Sequence, residues 1–377
     1  MAVQKISMEQ FLELAATHPV LDVRSPGEYA HAHIPGACSL PLFTDEERKV
    51  VGTAYKQKSR ETAIKIGLDY FGTKMRGMVD QVENLLAAKA SSKGNKGPIT
   101  HQAVLIHCWR GGMRSAGVAW LLDLYGFKVY TLGGGYKIYR QWARAQFEKQ
   151  YNFMLLGGYT GTGKTLVLQE LRRAGKPVVD LEELANHKGS AFGALGEKPQ
   201  PSQEMFENLL AVELAGASRQ ADTQAGASPL QPSMIYLEDE SQRIGLLNIP
   251  NELWASMRCS QLTFINIPFE ERLNYLSAEY GKFEKEKLVN AIIRIQKRLG
   301  GLETKMAINH LLENNHKECF RILLKYYDKY YEKGLHNRAP LSELLTTISF
   351  DTIDVAAIVQ SVMTATRNSD NLSESTR

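Results

Sequence analysis

A glycine-rich segment at residues 158–165, GYTGTGKT, constrains this chain more than any other feature. It matches the pattern G-x-x-x-x-G-K-[ST] in full and follows an apolar run at 153–156 that predicts a buried strand. In such a loop, backbone N–H groups surround a phosphate, a lysine neutralises it and a hydroxyl can hold Mg²⁺. We therefore predict a phosphate-binding loop (P-loop) between a strand and a helix. Its ligand-binding residues are Gly158, Gly161, Gly163, Lys164 and Thr165.

Acidic residues follow a second apolar run, at 234–237. P-loop proteins usually place a metal-organising carboxylate at the end of such a strand, so we predict that Glu238 and Asp239 belong to the same site. Acidic residues that are merely solvated at the end of a strand are the alternative. Mg²⁺ can accompany the phosphate, but the sequence identifies no dedicated metal ligands.

Cys108 lies in the run LIHCWRGGMRS, at residues 105–115. It follows a predicted buried strand at 103–107 and precedes a glycine-rich turn and helix-forming residues, so backbone N–H groups should converge on its sulfur. These donors, with Arg110 and Arg114, would favour the thiolate. We predict that Cys108 is a catalytic nucleophile assisted by the two arginines, with a buried structural cysteine as the alternative.

The segment around residues 5–145 resembles the rhodanese family. The runs DVR at 22–24, EY at 28–29 and HIPGA at 33–37 match the family's N-terminal signature, and Cys108 falls where its persulfide-forming cysteine lies. However, five residues separate Cys108 from Arg114, one more than in many single-domain sulfurtransferases. The longer loop resembles that of rhodanese-fold phosphatases and should hold a tetrahedral oxyanion. A phosphatase and a plain sulfurtransferase therefore remain alternatives.

The order of the motifs along the chain is more specific than either motif alone. The rhodanese-like part, the P-loop, DLEELANHKGSAFG at 180–193 and EDESQRIG at 238–245 together resemble the bacterial tRNA 2-selenouridine synthase family over nearly the full chain. The resemblance implies a transferase with two reactions on 2-thiouridine at the tRNA wobble position. The first is S-geranylation from geranyl diphosphate, and the second replaces the geranylthio group with selenium from selenophosphate.

The same resemblance assigns roles to the two loops. The P-loop would hold the diphosphate of geranyl diphosphate, and Cys108 would accept selenium from selenophosphate and pass it to the base. It implies no cofactor beyond these co-substrates, apart from Mg²⁺. Three residues of the 180–193 motif would line a shared site or else form a helix-capping turn, and two phenylalanines are candidates for housing the geranyl chain. These residues are His187, Lys188 and Ser190, and Phe192 and Phe206.

A chain of 377 residues, 44% of them apolar, is long enough for two ordinary domains. We predict an α/β fold with a rhodanese-like domain at 1–148 and a P-loop NTPase-like domain at 149–366. The part after Pro268 should be mostly helical and basic. Residues 367–377 are too polar to pack and should form a disordered tail.

Positive charge is concentrated near the end of the second domain. Between Arg272 and Arg338 the chain has 14 Lys and Arg against 8 Asp and Glu, an excess greater than the net +4 of the whole chain. A polyanion is therefore the expected partner, and the resemblance makes it tRNA. Solvated helix faces and core tyrosines are the alternative. The predicted tRNA contacts are Lys282, Lys285, Lys287, Arg294, Lys297 and Arg298, with the rings of KYYDKYY at 325–331 available for base stacking.

No apolar stretch is long enough to span a bilayer, and the first 22 residues lack the apolar run of a signal peptide. The four cysteines are too sparse for a disulfide framework. We therefore expect a cytoplasmic protein with no membrane partner. An ATP-driven RNA-binding protein remains a third alternative, although it would leave Cys108 without a role.

Overall fold

The computed structural model describes the backbone of residues 3–93, 102–224, 234–338 and 341–374, and the side chains of these residues except 89–93, 224 and 366–374. It divides into two compact units, Met1–Ala145 and Gln146–Arg377. This division lies a few residues before the boundary predicted at 148/149. The backbone of the last helix is described as far as Glu374, but its side chains from 366 onward are not. The disorder of the tail at 367–377 therefore stays a prediction.

The first unit is a parallel α/β domain. Its elements are β1 (Gln4–Ile6), α1 (Met8–Ala15), β2 (Val20–Asp22), α2 (Pro26–His31), β3 (Cys38–Ser39), α3 (Asp45–Gln57), α4 (Arg60–Lys93), β4 (Ala103–His107), α5 (Met113–Tyr125), β5 (Lys128–Leu132) and α6 (Gly135–Phe147). The five strands pair in parallel in the order β1-β5-β4-β2-β3. All residues of the middle strand, β4, are buried, as expected for a strand covered on both faces. Cys108 therefore emerges at the carboxyl edge of the sheet, where ligand sites of α/β folds lie.

The second unit is built around the strand that precedes the P-loop. Its elements are β6 (Phe153–Gly157), α7 (Lys164–Arg173), α8 (Leu181–Ala185), α9 (Gln203–Gln224), β7 (Ile235–Glu238), β8 (Arg243–Ile244), β9 (Leu247–Asn248), α10 (Asn251–Arg258), β10 (Gln261–Asn266), α11 (Phe269–Tyr280), α12 (Lys285–Leu299), α13 (Gly301–Leu312), α14 (His316–His336), α15 (Leu341–Leu344), β11 (Leu345–Ser349) and α16 (Val355–Glu374). Four strands form a parallel sheet in the order β11-β10-β6-β7, and β8 and β9 form an antiparallel hairpin. The predicted α/β class is confirmed for both units.

Helices α11 to α14 form a layer with an apolar core of its own, which includes Leu288, Leu311 and Phe320. The expectation that the chain becomes mostly helical after Pro268 therefore holds, with one exception. Strand β11 returns to the sheet and pairs with β10, from Leu345 opposite Leu262. In the described part of the chain, no helix is both long and apolar enough to cross a membrane.

Candidate active sites in the two units

Cys108 lies at the bottom of a tight loop between β4 and α5. Its Sγ is 3.2 Å from Ser115 Oγ and accepts a hydrogen bond from the Gly112 N–H at 3.4 Å. Burial raises the pKa of the thiol, but the Ser115 hydroxyl and the N–H groups of Ser115, Arg110 and Gly112 lower it by more, so this pKa lies below its usual value. The loop thus favours a thiolate at a strand end, as a nucleophile requires.

The tightness of this loop depends on glycine. Gly111 has φ +63°, and a Cβ there would lie 2.7 Å from the carbonyl oxygen of Leu132. At the start of α6, a Cβ on Gly135 would overlap the carbonyl oxygen of Cys108. The next residue, Tyr136, donates its N–H to that oxygen at 2.8 Å. The start of α6 therefore packs directly against the loop and fixes its curvature.

The two predicted arginines occupy different positions. Arg114 is held by Glu28, with Nη1 donating to Oε2 at 2.8 Å, and Arg48 Nε donates to the same oxygen at 2.9 Å. Burial raises the pKa of Glu28, but these arginines and the Ser25 N–H lower it to about 2. The side chain of Arg110 is exposed. The polar contacts of the sulfur are thus made by the Gly112 N–H and by Ser115. The sequence pattern does not predict the contact with Ser115.

The DVR signature at 22–24 forms a buried layer beneath the loop. Arg24 donates to Asp22 at 2.6 Å and to the carbonyl oxygen of Ala32 at 2.7 Å, and its guanidinium lies 3.8 Å from the ring centroid of Tyr136. Arg24 and Tyr136 are 1% and 0% exposed. A buried ion pair with its donors satisfied orients its neighbours, so this signature supports the loop without reaching solvent.

The P-loop has the predicted strand-loop-helix arrangement, between β6 and α7. Gly158, Gly161 and Gly163 all have positive φ. Lys164 Nζ donates to the carbonyl oxygen of Gly158 at 2.7 Å, which folds the lysine over the loop. Burial lowers the pKa of Lys164, while the carboxylate of Glu240 opposes this shift. The ammonium group therefore lies at the centre of the loop, next to where a bound phosphate would be.

Two carboxyl groups lie beside the P-loop. Thr165 Oγ1 donates to Glu182 Oε2 at 3.3 Å, and the Glu182 N–H donates to Glu238 Oε1 at 2.8 Å. Burial and the neighbouring Glu240 raise the pKa of Glu182 to about 8. Burial and the carboxylate of Asp180 raise the pKa of Glu238 well above its usual range. Burial thus disfavours the charged form of both carboxyl groups, and a further positive charge beside them would favour it. Glu182 was not predicted, because it lies on α8 rather than at a strand end.

Asp239 lies near the P-loop but is bonded to the protein. Its Oδ1 accepts from Arg338 at 2.7 Å, and its Oδ2 accepts from the Tyr331 hydroxyl at 3.1 Å. The same hydroxyl accepts the N–H of Gly158 at 3.1 Å. The expectation that the rings of 325–331 face bases is therefore wrong for Tyr331, because this ring points inward and connects α14 to the P-loop. Tyr330 is 49% exposed.

Helix α12 presents part of the predicted tRNA-binding set as a stripe. Lys287, Arg294 and Arg298 are exposed and, at 3.6 residues per turn, fall within roughly 40° of one another around the helix. The guanidinium of Arg298 lies 5.6 Å from the centroid of the exposed Tyr330 ring. We call these three basic residues the α12 stripe. Such a row of cations can contact the phosphates of a nucleic-acid strand, and the exposed ring beside it can stack on an unpaired base.

The other three members of the set lie away from the stripe. Lys285 Nζ donates to the carbonyl oxygen of Leu312 at 2.9 Å, at the end of α13, where a cation favours the helix. Lys282 pairs with Glu279 at 3.1 Å. Lys297 is exposed on another side of α12. Lys285 thus has a structural contact at the end of α13.

An apolar cleft borders the P-loop in the second unit. It has an empty volume of about 290 Å³ only when the open solvent at its mouth is counted, and its enclosed space is about that of one water molecule; Thr160 of the P-loop forms part of its wall. Phe192, one of the two predicted candidates for housing an apolar chain, lines it, whereas Phe206 is fully buried on α9 and does not. The remaining lining side chains are Ser190, Leu276, Tyr280, Phe320, Leu323, Leu324 and Tyr327.

The segment after α8 is a tight turn and also contributes to this cleft. Helix α8 ends at Asn186 with φ +49°. Lys188 lies 3.5 Å from Glu197, and His187 is buried. Ser190 Oγ accepts the N–H of Phe192 at 3.2 Å, and both residues line the cleft. The residue that caps α8 is therefore Asn186 and not the Gly189–Ser190 turn, and a shared site lined by His187, Lys188 and Ser190 stays a prediction.

Both units match known protein families. The family described as tRNA 2-selenouridine synthase AAA domain matches residues 151–357, and the rhodanese-like domain family matches residues 7–141. The chain is 31% identical over 353 residues to a tRNA 2-selenouridine synthase of Psychromonas ingrahamii, covering 85% of this chain and 89% of that protein. It is 34% identical over 351 residues to that of Marinobacter nauticus, covering 84% and 88%. Among solved structures, the N-terminal domain of a putative ATP/GTP binding protein from Clostridium difficile 630 is 36% identical, covering 37% of this chain and 97% of that one, with a TM-score of 0.31.

Proposed function

Because the chain belongs to the tRNA 2-selenouridine synthase family, we propose that it converts 2-thiouridine at the tRNA wobble position to 2-selenouridine. The conversion proceeds in two reactions. The unit with the P-loop transfers a geranyl group from geranyl diphosphate to the sulfur of 2-thiouridine. The unit with Cys108 carries the reaction in which selenium from selenophosphate replaces the geranylthio group.

The observation that carries this proposal is the apolar cleft against the P-loop. A P-loop alone predicts only a phosphate-bearing ligand. A nucleotide would place a polar sugar and base next to the phosphates, whereas a prenyl diphosphate places a hydrocarbon chain there. Thr160 lies both in the P-loop and in the cleft wall, and the walls beyond it are apolar and aromatic. This combination favours geranyl diphosphate over ATP as the ligand.

The groups around the P-loop fit the chemistry of geranyl transfer. The sulfur of 2-thiouridine forms a bond to the terminal carbon of the geranyl group as the bond from that carbon to oxygen breaks, and diphosphate leaves with the electron pair. Lys164 and the loop N–H groups stabilise the charge that builds on the diphosphate. The side chains that line the cleft would have to move apart to hold the chain, because the enclosed space is about that of one water molecule, and a chain bound there would exclude water from the reacting carbon. No ATP hydrolysis is required.

We propose that Mg²⁺ accompanies the diphosphate. The oxygen donors beside the loop, Thr165 Oγ1 and Glu182 Oε2, suit a hard cation. Within the described residues, no group of three or more His, Cys, Asp or Glu is arranged to hold a metal ion alone. The ion would therefore take its other ligands from diphosphate and water. Its charge would favour the ionised forms of Glu182 and Glu238, which burial disfavours.

Filling the cleft should weaken binding of the prenyl chain and leave the phosphate site intact. We expect Ser190→Phe to raise the KM for geranyl diphosphate by about 10-fold or more, because the new ring displaces part of the hydrocarbon from apolar contacts. Inhibition by inorganic pyrophosphate should not change. Ser190→Ala, which removes the hydroxyl without filling the cleft, is the matched control. An unchanged KM for geranyl diphosphate in Ser190→Phe would place the chain outside this cleft.

Reversing the charge of the α12 stripe should weaken tRNA binding. We expect the triple variant Lys287→Glu, Arg294→Glu, Arg298→Glu to bind tRNA about 10-fold or more weakly near physiological salt and to show a shallower salt dependence, since fewer counterions are released. Lys285 is left unchanged because of its contact at the end of α13. Binding is measured by salt titration with labelled tRNA.

The control for this experiment carries the same charge change on exposed residues of the first unit. It is the triple variant Lys49→Glu, Lys65→Glu, Arg76→Glu. We expect a smaller loss of affinity in the control than in the stripe variant. Equal affinities and equal salt slopes for the two variants would remove the α12 stripe from the tRNA interface.

The proposed function as a whole is tested by nucleoside analysis. Purified enzyme is incubated with tRNA containing 2-thiouridine, geranyl diphosphate and selenophosphate, and the digested nucleosides are identified by mass spectrometry. We expect S-geranyl-2-thiouridine followed by 2-selenouridine. Absence of both would contradict the proposal, and dephosphorylation or sulfur transfer in their place would favour the alternatives raised by the Cys108 loop.

A further inference from the structure

We propose that Cys108 accepts the phosphoryl group of selenophosphate and not its selenium, so that the loop acts as a phosphatase-type nucleophile within the selenium reaction. This inference rests on the proposed function, because selenophosphate is the selenium donor of that reaction. It differs from the persulfide-like carrier role that the rhodanese resemblance implies for Cys108. The length of the loop, the hydrogen bonds around the sulfur and the electron balance of the reaction all support it.

The electron balance separates the two roles. In selenophosphate, selenium is at the selenide level and phosphorus is already at the level of phosphate. Moving selenium onto the cysteine as a perselenide while phosphate departs would remove two electrons, and neither 2-thiouridine nor selenophosphate supplies an oxidant. Exchange of sulfur for selenium at C2 of the base requires no oxidation. A nucleophilic attack on phosphorus keeps every step redox-neutral.

The proposed sequence of bonds is as follows. Selenium of selenophosphate attacks C2 of the geranylated base, the C2–S bond breaks, and geranylthiol leaves with a proton. The base then carries selenium bonded to phosphorus. Cys108 Sγ attacks that phosphorus, an S–P bond forms, and the Se–P bond breaks with both electrons remaining on selenium, which gives 2-selenouridine. Water then attacks the phosphorus, the S–P bond breaks, and phosphate leaves as the thiolate is restored.

The loop is built to hold a phosphoryl group in front of the sulfur. Five residues separate Cys108 from Arg114, the spacing for which the resemblance to rhodanese-fold phosphatases implies a bound tetrahedral oxyanion. The Gly112 N–H already donates to Sγ at 3.4 Å, so it can donate to an oxygen on a phosphorus bonded to that sulfur. Helix α5 begins at Met113 and directs its positive end at the same point. Arg114, fixed by Glu28, adds a positive charge at the rim.

Ser115 has a defined part in the last step. Its Oγ lies 3.2 Å from Sγ and 3.0 Å from the carbonyl oxygen of Gly112, so its single hydrogen can donate to that oxygen while the sulfur is bonded to phosphorus and turn to the sulfur when it becomes a thiolate. When water attacks the phosphorus, the sulfur becomes the leaving group and regains its negative charge. A hydroxyl at this distance stabilises that charge. The preceding step makes no such demand, because the selenium departs as the delocalised anion of 2-selenouracil and needs no general acid.

Labelled selenophosphate distinguishes the two roles of Cys108. The full-length enzyme is mixed with geranylated tRNA and selenophosphate labelled on phosphorus or, separately, on selenium. A rapid denaturing quench and alkylation without reductant precede peptide mapping. We expect phosphorus label and no selenium label on the peptide that contains Cys108. The exposed Cys259 supplies the matched control, since Cys259→Ser should label as the parent does and Cys108→Ser should not label.

Substitution of the serine tests the breakdown step. At a pH high enough to make Cys108 a thiolate in both enzymes, Ser115→Ala should increase the trapped phosphorus label several-fold and slow phosphate release, because attack on phosphorus precedes the step that the hydroxyl assists. Selenium label on Cys108, or an absence of phosphorus label while the parent enzyme is making 2-selenouridine, would overturn the inference and leave the proposed function intact. A parent enzyme that makes no 2-selenouridine would overturn the proposed function and this inference with it.

Discussion

Lys164→Ala is expected to lower the rate of geranylation of 2-thiouridine in tRNA by about 100-fold or more. The lysine folds over the P-loop and donates to the carbonyl oxygen of Gly158, so its charge is in place before the ligand arrives. Removing a preorganised charge that stabilises a leaving group has an effect of about this size in other enzymes. The measurement is a time course of S-geranyl-2-thiouridine at saturating tRNA.

Lys198→Ala is the control for this variant, because Lys198 is an exposed lysine of the same unit. It should geranylate at the parent rate. Thermal unfolding of both variants checks that the fold is retained. A Lys164→Ala enzyme with the parent rate of geranylation would show that the P-loop does not serve the prenyl donor.

Cys108→Ser is expected to abolish selenium incorporation, with a loss on the order of 10⁴-fold or more, as for other enzymes that lose a covalent nucleophile. The substitution changes one atom in a loop that Gly111, Gly135 and Tyr136 hold in place, so the fold should survive. Geranylation should continue, but the reaction should stop before 2-selenouridine, at the base whose selenium is still bonded to phosphorus. The variant is assayed with geranyl diphosphate and selenophosphate, and the digested nucleosides are quantified by mass spectrometry.

The other cysteines provide controls for this second variant. Cys259 is exposed, and burial raises the pKa of Cys319 to about 12, so that this thiol stays protonated. Serine at Cys259 should leave selenium incorporation unchanged. If Cys108→Ser formed 2-selenouridine at the parent rate, the selenium reaction would have to occur without this sulfur.

Sequence patterns identified the features that depend on adjacent residues. The P-loop follows from the spacing of its glycines and lysine after a strand, and the conformation around Gly161 and Gly163 is local. The Cys108 loop follows in the same way from a buried strand and a glycine-rich turn. In both cases the backbone N–H groups that form the site belong to the motif itself, so the motif predicts the geometry.

Features assembled from distant segments were not predictable from the pattern. The sequence pattern predicts a base-stacking ring at Tyr331, because this residue lies in a basic helix. In the structure its hydroxyl instead contacts Gly158 and Asp239, which are far away in the sequence. The apolar cleft combines the P-loop, the turn after α8 and helices α11 and α14. Phe192 and Phe206 are both apolar and close in sequence, and only the tertiary packing shows that one lines the cleft and the other is enclosed in the core.

The division of the pathway between the two units is tested most directly with tRNA that already carries S-geranyl-2-thiouridine. Each variant is given this tRNA and selenophosphate, without ATP, and the nucleosides are identified by mass spectrometry. Lys164→Ala should convert it to 2-selenouridine, because the geranyl reaction has been bypassed, whereas Cys108→Ser should form no 2-selenouridine. Conversion by Cys108→Ser together with failure of Lys164→Ala would show that the two reactions have been assigned to the wrong loops.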